Sequence, residues 1–279
     1  MTNGISRACL AVMLALVAVS NAFAIPFFAA TSHGTLRTFD SASVSSAGVS
    51  VPISGLGAGE SLIGLDIRPL DQKLYIVTRD ASNAGRLYTV DTTTGAATLV
   101  APLTPNPNDA IPYTSLVGTQ FGMAFNPVVD RIRLVTDVGQ NFRINPVTGV
   151  VLHDSDLSSG TPHVVAVAYT SSFVGATTTT LYDIDSASDT LLIQNPPNLG
   201  ILSPVGIFGK DFADPVGFDI TVVGAVDYAY ATASVAGTFS FYAIDLSTGF
   251  ATAIGALNGN FPAIGIAMVP DHMFANGFE

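Results

Sequence analysis

The chain has 279 residues, with 10 Lys+Arg against 21 Asp+Glu, a formal net charge of −11, one cysteine and no tryptophan. An acidic balance of that size excludes a nucleic-acid-binding surface and a docking face for anionic membranes, since both need cationic patches. A single cysteine, Cys9, excludes an internal disulfide and a cysteine-ligated metal.

The N-terminal stretch "MTNGISRACLAVMLALVAVSNAFA" places one cation, Arg7, before an unbroken apolar run from Ala8 to Val19, then the small residues Ala22 and Ala24. That order predicts a cleaved secretory signal over 1–24. The run is too short for a stable bilayer span. Later apolar stretches such as "VGFDITVVGAVDYAYATASVAG" are broken by Asp219, Asp227 and glycines, so no further span is expected. The expected mature protein is secreted or periplasmic, monomeric, and a single domain over 25–270 with a short tail, 271–279.

The domain opens with "FFAATS", "TLRTFD" and "SVPIS", three strand-like segments. A repeat then begins. "GLDIRP" (64–69), "GMAFNP" (122–127), "AVAYT" (166–170), "GFDIT" (217–221) and "GIAMVP" (265–270) align without gaps. Their second and fourth positions are always apolar, as in Leu65/Ile67 and Met123/Phe125, and this strict period of two predicts strands. "KLYIVT" (73–78), "RIRLVT" (131–136) and "DYAYATA" (227–233) follow as strands with apolar residues on both faces. A third motif ends in a polar turn: "LYTVDTTTG" (87–95), "FRINPVTG" (142–149), "LYDIDSASD" (181–189) and "FYAIDLSTG" (241–249), with a fainter copy "LRTFDSAS" (36–43). Asp or Asn opens each turn by accepting from backbone N–H groups ahead, and glycine near its end supplies positive φ. Asp189 stands where glycine is expected, and Asp tolerates that region better than most residues.

Strand, strand, strand, turn, strand recurs at propeller-blade spacing. Four blades are predicted near 62–103, 119–157, 163–194 and 216–257. "GIAMVP" has nothing after it to pair with, and the N-terminal strands have no inner strand before them. Joined, they make a fifth blade and close the ring. The predicted fold is all-β, a five-bladed β-propeller of four-stranded antiparallel blades; a β-sandwich is the alternative. No 3.6-residue apolar stripe occurs beyond the signal.

The stretches "GLDIRPLDQKLYIVT", "GTQFGMAFNPVVDRIRLVTDVGQNFRINPVTG", "VAVAYTSSFVGATTTTLYDIDSASDTLLIQNPPNLG" and "FYAIDLSTGFATAIGAL" resemble the DUF4394 domain, a family of uncharacterised bacterial proteins. The resemblance spans about 62–270. It implies a repeated β architecture and an exported or cell-surface setting, and no reaction. The closing "DHMFANGFE" resembles short C-terminal segments of some exported proteobacterial proteins.

Candidate binding residues cluster at 122–149. Arg131 and Arg133 alternate with apolar residues on one strand, and Arg143 lies on the next. With Arg68, Asn126, Gln140 and Asn141 they form a candidate clamp for an anion or carboxylate, because planar guanidinium groups grip such ligands in pairs. The competing reading is a polar seam between blades, with Asp130 and Asp137 pairing those arginines. At the inner strand, positions three and five (Asp66/Arg68, Ala124/Asn126, Ala168/Thr170, Asp219/Thr221, Ala267/Val269) are expected to lean toward the central channel. Asp66 and Asp219 could then hold a cation or act as paired catalytic carboxylates; otherwise they sit in a solvated channel with an Asp66–Arg68 pair. Asp183, Asp185 and Asp189 offer hard oxygen ligands for Ca²⁺, against a turn-capping role for Asp185. "QNPPN" (194–198) is read as a stiff blade-to-blade connector or a pocket rim, and "HDSD" (153–156) as an exposed loop or a metal ligand set.

No G-x-S-x-G elbow, glycine-rich phosphate loop or ligand-spaced histidines occur. The expected function is binding of a small molecule, glycan or protein, without catalysis and without a cofactor. The alternatives are a glycan-active hydrolase using Asp66 and Asp219, and a structural surface or matrix component.

Overall fold

The computed structural model describes residues 24–46, 48–158 and 161–270. The signal expectation and the 271–279 tail fall outside the described residues. Five sheets make five blades. Blade I contains β1 (Pro26–Ala30), β2 (Thr35–Asp40) and β3 (Ser50–Pro52). Blade II contains β4 (Ser61–Ile67), β5 (Leu74–Arg79), β6 (Gly85–Val90) and β7 (Ala97–Pro102). The short β8 (Thr104–Pro105) precedes blade III, which runs through β9 (Phe121–Asn126), β10 (Arg131–Thr136), β11 (Asn141–Ile144) and β12 (Val150–His153). Blade IV holds β13 (Val164–Tyr169), β14 (Leu181–Asp185), β15 (Thr190–Gln194) and β16 (Leu202–Ile207). Blade V holds β17 (Ala213–Val223), β18 (Val226–Val235), β19 (Thr238–Ile244) and β20 (Ala251–Ala256).

The last strand, β21 (Gly265–Met268), pairs antiparallel with β1, with Phe27 opposite Met268 and Ala30 opposite Gly265. The ring therefore closes as expected, the end of the chain supplying the inner strand of blade I. Phe27 cements that closure, stacking on Phe39 of its own blade and on Phe241 of blade V at 4.5 Å.

The hydrophobic core is divided among the seams. Five buried clusters occur, one between each pair of adjacent blades. The second and fourth positions of every inner strand are buried in them. At the top of the inner strands the repeat glycines allow the blades to meet: a Cβ on Gly122 would lie 2.8 Å from the Val167 nitrogen, and one on Gly265 2.6 Å from the Leu65 side chain.

Three details depart from expectation. β8 joins β12 in parallel, giving blade III a fifth, two-residue strand. Blade IV does not end at residue 194; its outer strand is Leu202–Ile207. The "DIDSASD" turn joins β14 to β15, the second and third strands, whereas the Thr-Gly turns at 91–95, 145–149 and 245–249 join third to fourth. The turn chemistry is nonetheless shared. Asp91, Asn145 and Asp245 each accept from backbone N–H groups ahead, as does Asp185. Asp189 takes φ 52° where Gly95, Gly149 and Gly249 take 70–79°.

Candidate functional site

Both faces of an inner strand meet a neighbouring blade. Positions three and five therefore pack against the following blade, not into an open channel. Asp66 shows the consequence: its Oδ1 accepts from the Ile67 N–H at 2.7 Å and its Oδ2 from the Phe125 N–H of blade III at 2.6 Å. Asp219 repeats this against blade I, accepting from Ile220 at 2.7 Å and from Met268 at 2.6 Å. Each carboxylate thus latches one inner strand to the next. Burial pushes the Asp66 carboxyl well above its ordinary range, the Asp219 charge adds to this, and the two amides oppose it. Burial likewise pushes Asp219 up to about 7. Neither residue lines any of the cavities described below. The axial space beside the inner-strand glycines holds only about 10 Å³.

Arg68 does not pair with Asp66. It reaches across the II–III seam and grips Asp130 with two donors, at 2.8 and 2.5 Å, and donates also to Asp71 and the Tyr75 hydroxyl. That seam is closed by charge.

The III–IV seam is different. The position matching Arg68 is Asn126, and the loop matching the Asp130 turn, Ser171–Thr180, contains no acid. A cavity of about 390 Å³ opens there. Blade III lines it with Asn126, Val129, Arg131, Arg133 and Arg143; blade IV adds Tyr169, Pro197 and Asn198. Arg133 and Arg143 stand directly opposite each other on β10 and β11. Like charges so placed repel, and Asp154 answers both, accepting from Arg133 at 2.7 Å and from two nitrogens of Arg143 at 2.7 Å. Arg133 is 2% exposed. It also donates to Asn141 Oδ1 and Asn198 Oδ1, with Tyr169 at 3.5 Å. Asn141 in turn donates to the Ser155 and Pro197 carbonyls, tying the proline loop of blade IV to blade III.

Arg131 is the exception. Its guanidinium donates only to the backbone carbonyls of Asp130 and Val129, and no carboxylate pairs with it among the described residues. Asn126 Oδ1 is spent on the Val128 and Val129 N–H groups, leaving its Nδ2 donor uncommitted. Asn198 Oδ1 is spent on Arg133, leaving its Nδ2 uncommitted. The pocket therefore presents donors while its acceptors are consumed inside the wall.

Deeper in this seam Asp183 is fully buried, and neither of its oxygens has a hydrogen-bond partner; Gln194 Oε1 is in the same state. Burial drives the Asp183 carboxyl well above its ordinary range, with nearby Arg133 opposing.

Of the sequence candidates, Asn126, Arg131, Arg133 and Arg143 come together at the pocket, with Asn141 bracing them from behind. Arg68 belongs to the neighbouring seam. Gln140 points elsewhere, fixing the 115–117 segment through Ser115 O and Val117 N. The expected partners Asp130 and Asp137 do not pair these arginines: Asp130 serves Arg68, and Asp137 accepts from Thr119. "HDSD" is an exposed loop only at Ser155 and Asp156; Asp154 within it turns inward as the counter-ion of Arg133 and Arg143. "QNPPN" is not a blade-to-blade connector: it joins β15 to β16 and forms the pocket rim. Asp183, Asp185 and Asp189 do not converge. Asp185 caps its own turn and accepts from the His163 N–H, while Asp189 accepts from the Phe212 N–H. Among the described residues no three His, Cys, Asp or Glu side chains are grouped to hold a metal. Sequence reasoning missed Tyr169 and Asn198, since contacts across a blade seam leave no spacing signal, and it read Asp154 as part of a loop or metal ligand set when its partners are Arg133 and Arg143 of its own blade.

Fold and seam together define a five-bladed β-propeller with a cationic pocket between two blades. The match to the model described as "Domain of unknown function (DUF4394)" covers residues 35–267, and the chain belongs to that family. No curated protein matches the chain. Among solved structures it is similar to a protein of unknown function from Bacteroides thetaiotaomicron, at 15% identity and TM-score 0.49, covering 82% of this chain and 58% of that one. It is also similar to TolB from Acinetobacter baumannii, at 13% identity and TM-score 0.46, covering 88% of this chain and 66% of that one. The chain thus spans about three-fifths to two-thirds of these relatives. Among the described residues no helix is long and apolar enough to cross a membrane.

Proposed function

We propose that this is an exported, non-catalytic binding propeller that captures a small oxyanion-bearing molecule in the III–IV seam pocket. The observation that carries the reading is Arg131, a guanidinium without an acid partner on the rim of a cavity whose other free polar groups are donors. Arg133 and Arg143 share the Asp154 carboxylate there and Arg131 has none, in a chain that is otherwise strongly acidic. An acceptor-rich anion supplies what the wall lacks, and bidentate guanidinium contact gives it orientation. The hydrolase reading lacks comparable support, because all four oxygens of Asp66 and Asp219 accept backbone amides.

The test is calorimetric titration of the full chain with sulfate, phosphate, acetate and acidic monosaccharides at low salt. At least one is expected to bind saturably, and Arg131→Ala to weaken it about tenfold, or about 1.4 kcal/mol, without changing the unfolding midpoint. If none binds, or Arg131→Ala leaves the affinity intact, the reading fails.

A further inference from the structure

We propose a second binding site, on the propeller axis where the inner strands begin, that takes a small organic carboxylate with an apolar body. It is independent of the seam pocket. A cavity of about 330 Å³ opens there. Its apolar wall comes from four blades: Ile63 of blade II, Phe121 of III, Pro215 of V, and Ile264, which leads into the inner strand of I. One residue further along those strands lie Gly64, Gly122, Val216 and Gly265, which surround the constricted 10 Å³ space. The cavity is therefore a blind cup, not a tunnel.

Arg79 supplies the charge. Its Nη1 donates to the Gly118 carbonyl at 2.8 Å and the Leu116 carbonyl at 3.3 Å, and its guanidinium lies over the Phe121 ring at 5.0 Å. No carboxylate pairs with it among the described residues. Asp137, near this rim, is occupied by the Thr119 amide and hydroxyl. Stacking on Phe121 and the two carbonyls hold the guanidinium plane, so its remaining N–H donors form a fixed fork suited to a planar carboxylate. Ser61, with its hydroxyl uncommitted, and Gln120, with its side-chain amide uncommitted, stand on the same rim. The cup's lining is polar on the arginine side and apolar on the other, so it matches a ligand with one carboxylate and a compact apolar remainder.

Benzoate is the probe, titrated into the full chain by calorimetry and amide chemical-shift mapping, with acetate alongside. Saturable benzoate binding is expected, about tenfold tighter than acetate, with shifts at Phe121 and Ile264. Arg79→Ala is expected to weaken it at least tenfold. Since Arg79 also holds the 116–118 segment, Ser61→Glu is the second variant: it places a competing carboxylate in the cup, leaves that hold intact, and is expected to weaken benzoate as much. Arg131→Ala is expected to change benzoate affinity less than twofold. Absence of saturable binding, retention of affinity in Ser61→Glu, or equal affinity for acetate overturns the proposal. Loss of benzoate binding on Arg131→Ala instead assigns it to the seam pocket and also overturns this site.

Discussion

The II–III and III–IV seams are built from equivalent strands and reach opposite outcomes. In the first, Arg68 meets Asp130, and apolar and aromatic residues such as Tyr75, Phe125 and Phe142 fill the interior. In the second, asparagine replaces the arginine, the facing loop has no acid, and Arg133, Asn141, Asp183 and Gln194 occupy space that is apolar elsewhere. Its buried apolar cluster contains no phenylalanine. A propeller tolerates one poorly filled seam because four others, among them the Phe27–Phe241 closure, hold the ring. Polar residues that add little to packing are free to shape a pocket.

The contrast can be broken at several points. The largest effect is expected from Arg133→Met, which leaves Asp154 facing only Arg143 and strips partners from Asn141 and Asn198. Removing one side of a buried pair costs about 3–5 kcal/mol, read as a lower midpoint in urea. Next is Asp219→Asn, which puts an NH₂ against the Met268 or Ile220 amide and costs about 2 kcal/mol. Asp219 also sets a pH dependence. Its folded value is raised to about 7, so the folded state holds a proton that the unfolded state releases near pH 4. Stability is present below that lower value and is lost as pH rises from about 4 to about 7. Thermal melts of the wild type should show this fall, and Asp219→Asn should make it shallower, since the raised carboxyls of Asp66 and Asp183 keep the same sign of dependence. At lower pH the opposite slope is expected from Glu60 and Asp245, which hydrogen bonds hold below their ordinary values.

Smaller effects sharpen the comparison. Asp130→Asn should open the II–III seam at a cost of about 1 kcal/mol. Asparagine accepts the positive φ of 51° at that position, so the backbone should persist and the change should report the ion pair. Asp183→Leu is expected to raise stability by about 1 kcal/mol, since a buried carboxyl without partners gives way to an apolar group of similar shape. A loss there would show that Asp183 has a partner in solution, such as a bound water.

Much of the ring is legible in the sequence because it follows local rules. Period-two inner strands, Asx-opened turns and the unpaired "GIAMVP" fix the blade count and the closure. Blade IV is harder to read. Its "DIDSASD" turn copies the chemistry of the third-to-fourth turns at a different place in the blade, and "NPPNLG" hides the outer strand behind a proline loop. For the pocket, the arginines stand out by composition. Tyr169 and Asn198 do not, because they join the site only through the packing of two blades; Asp154 meets Arg133 and Arg143 inside blade III, but only once β12 is laid beside β11. The inner aspartates mislead for a related reason: a polar residue at the third position resembles a channel lining until the neighbouring strand's amides are in place.

The strand β21, only four residues long, completes a blade whose other three strands come from the opposite end of the sequence. It is the last part of the ring to be synthesised, and until then β1 presents a bare edge. At high concentration during refolding, β21 of one copy can fill that edge in another, so self-closure and strand exchange compete. Dilution should favour the self-closed ring.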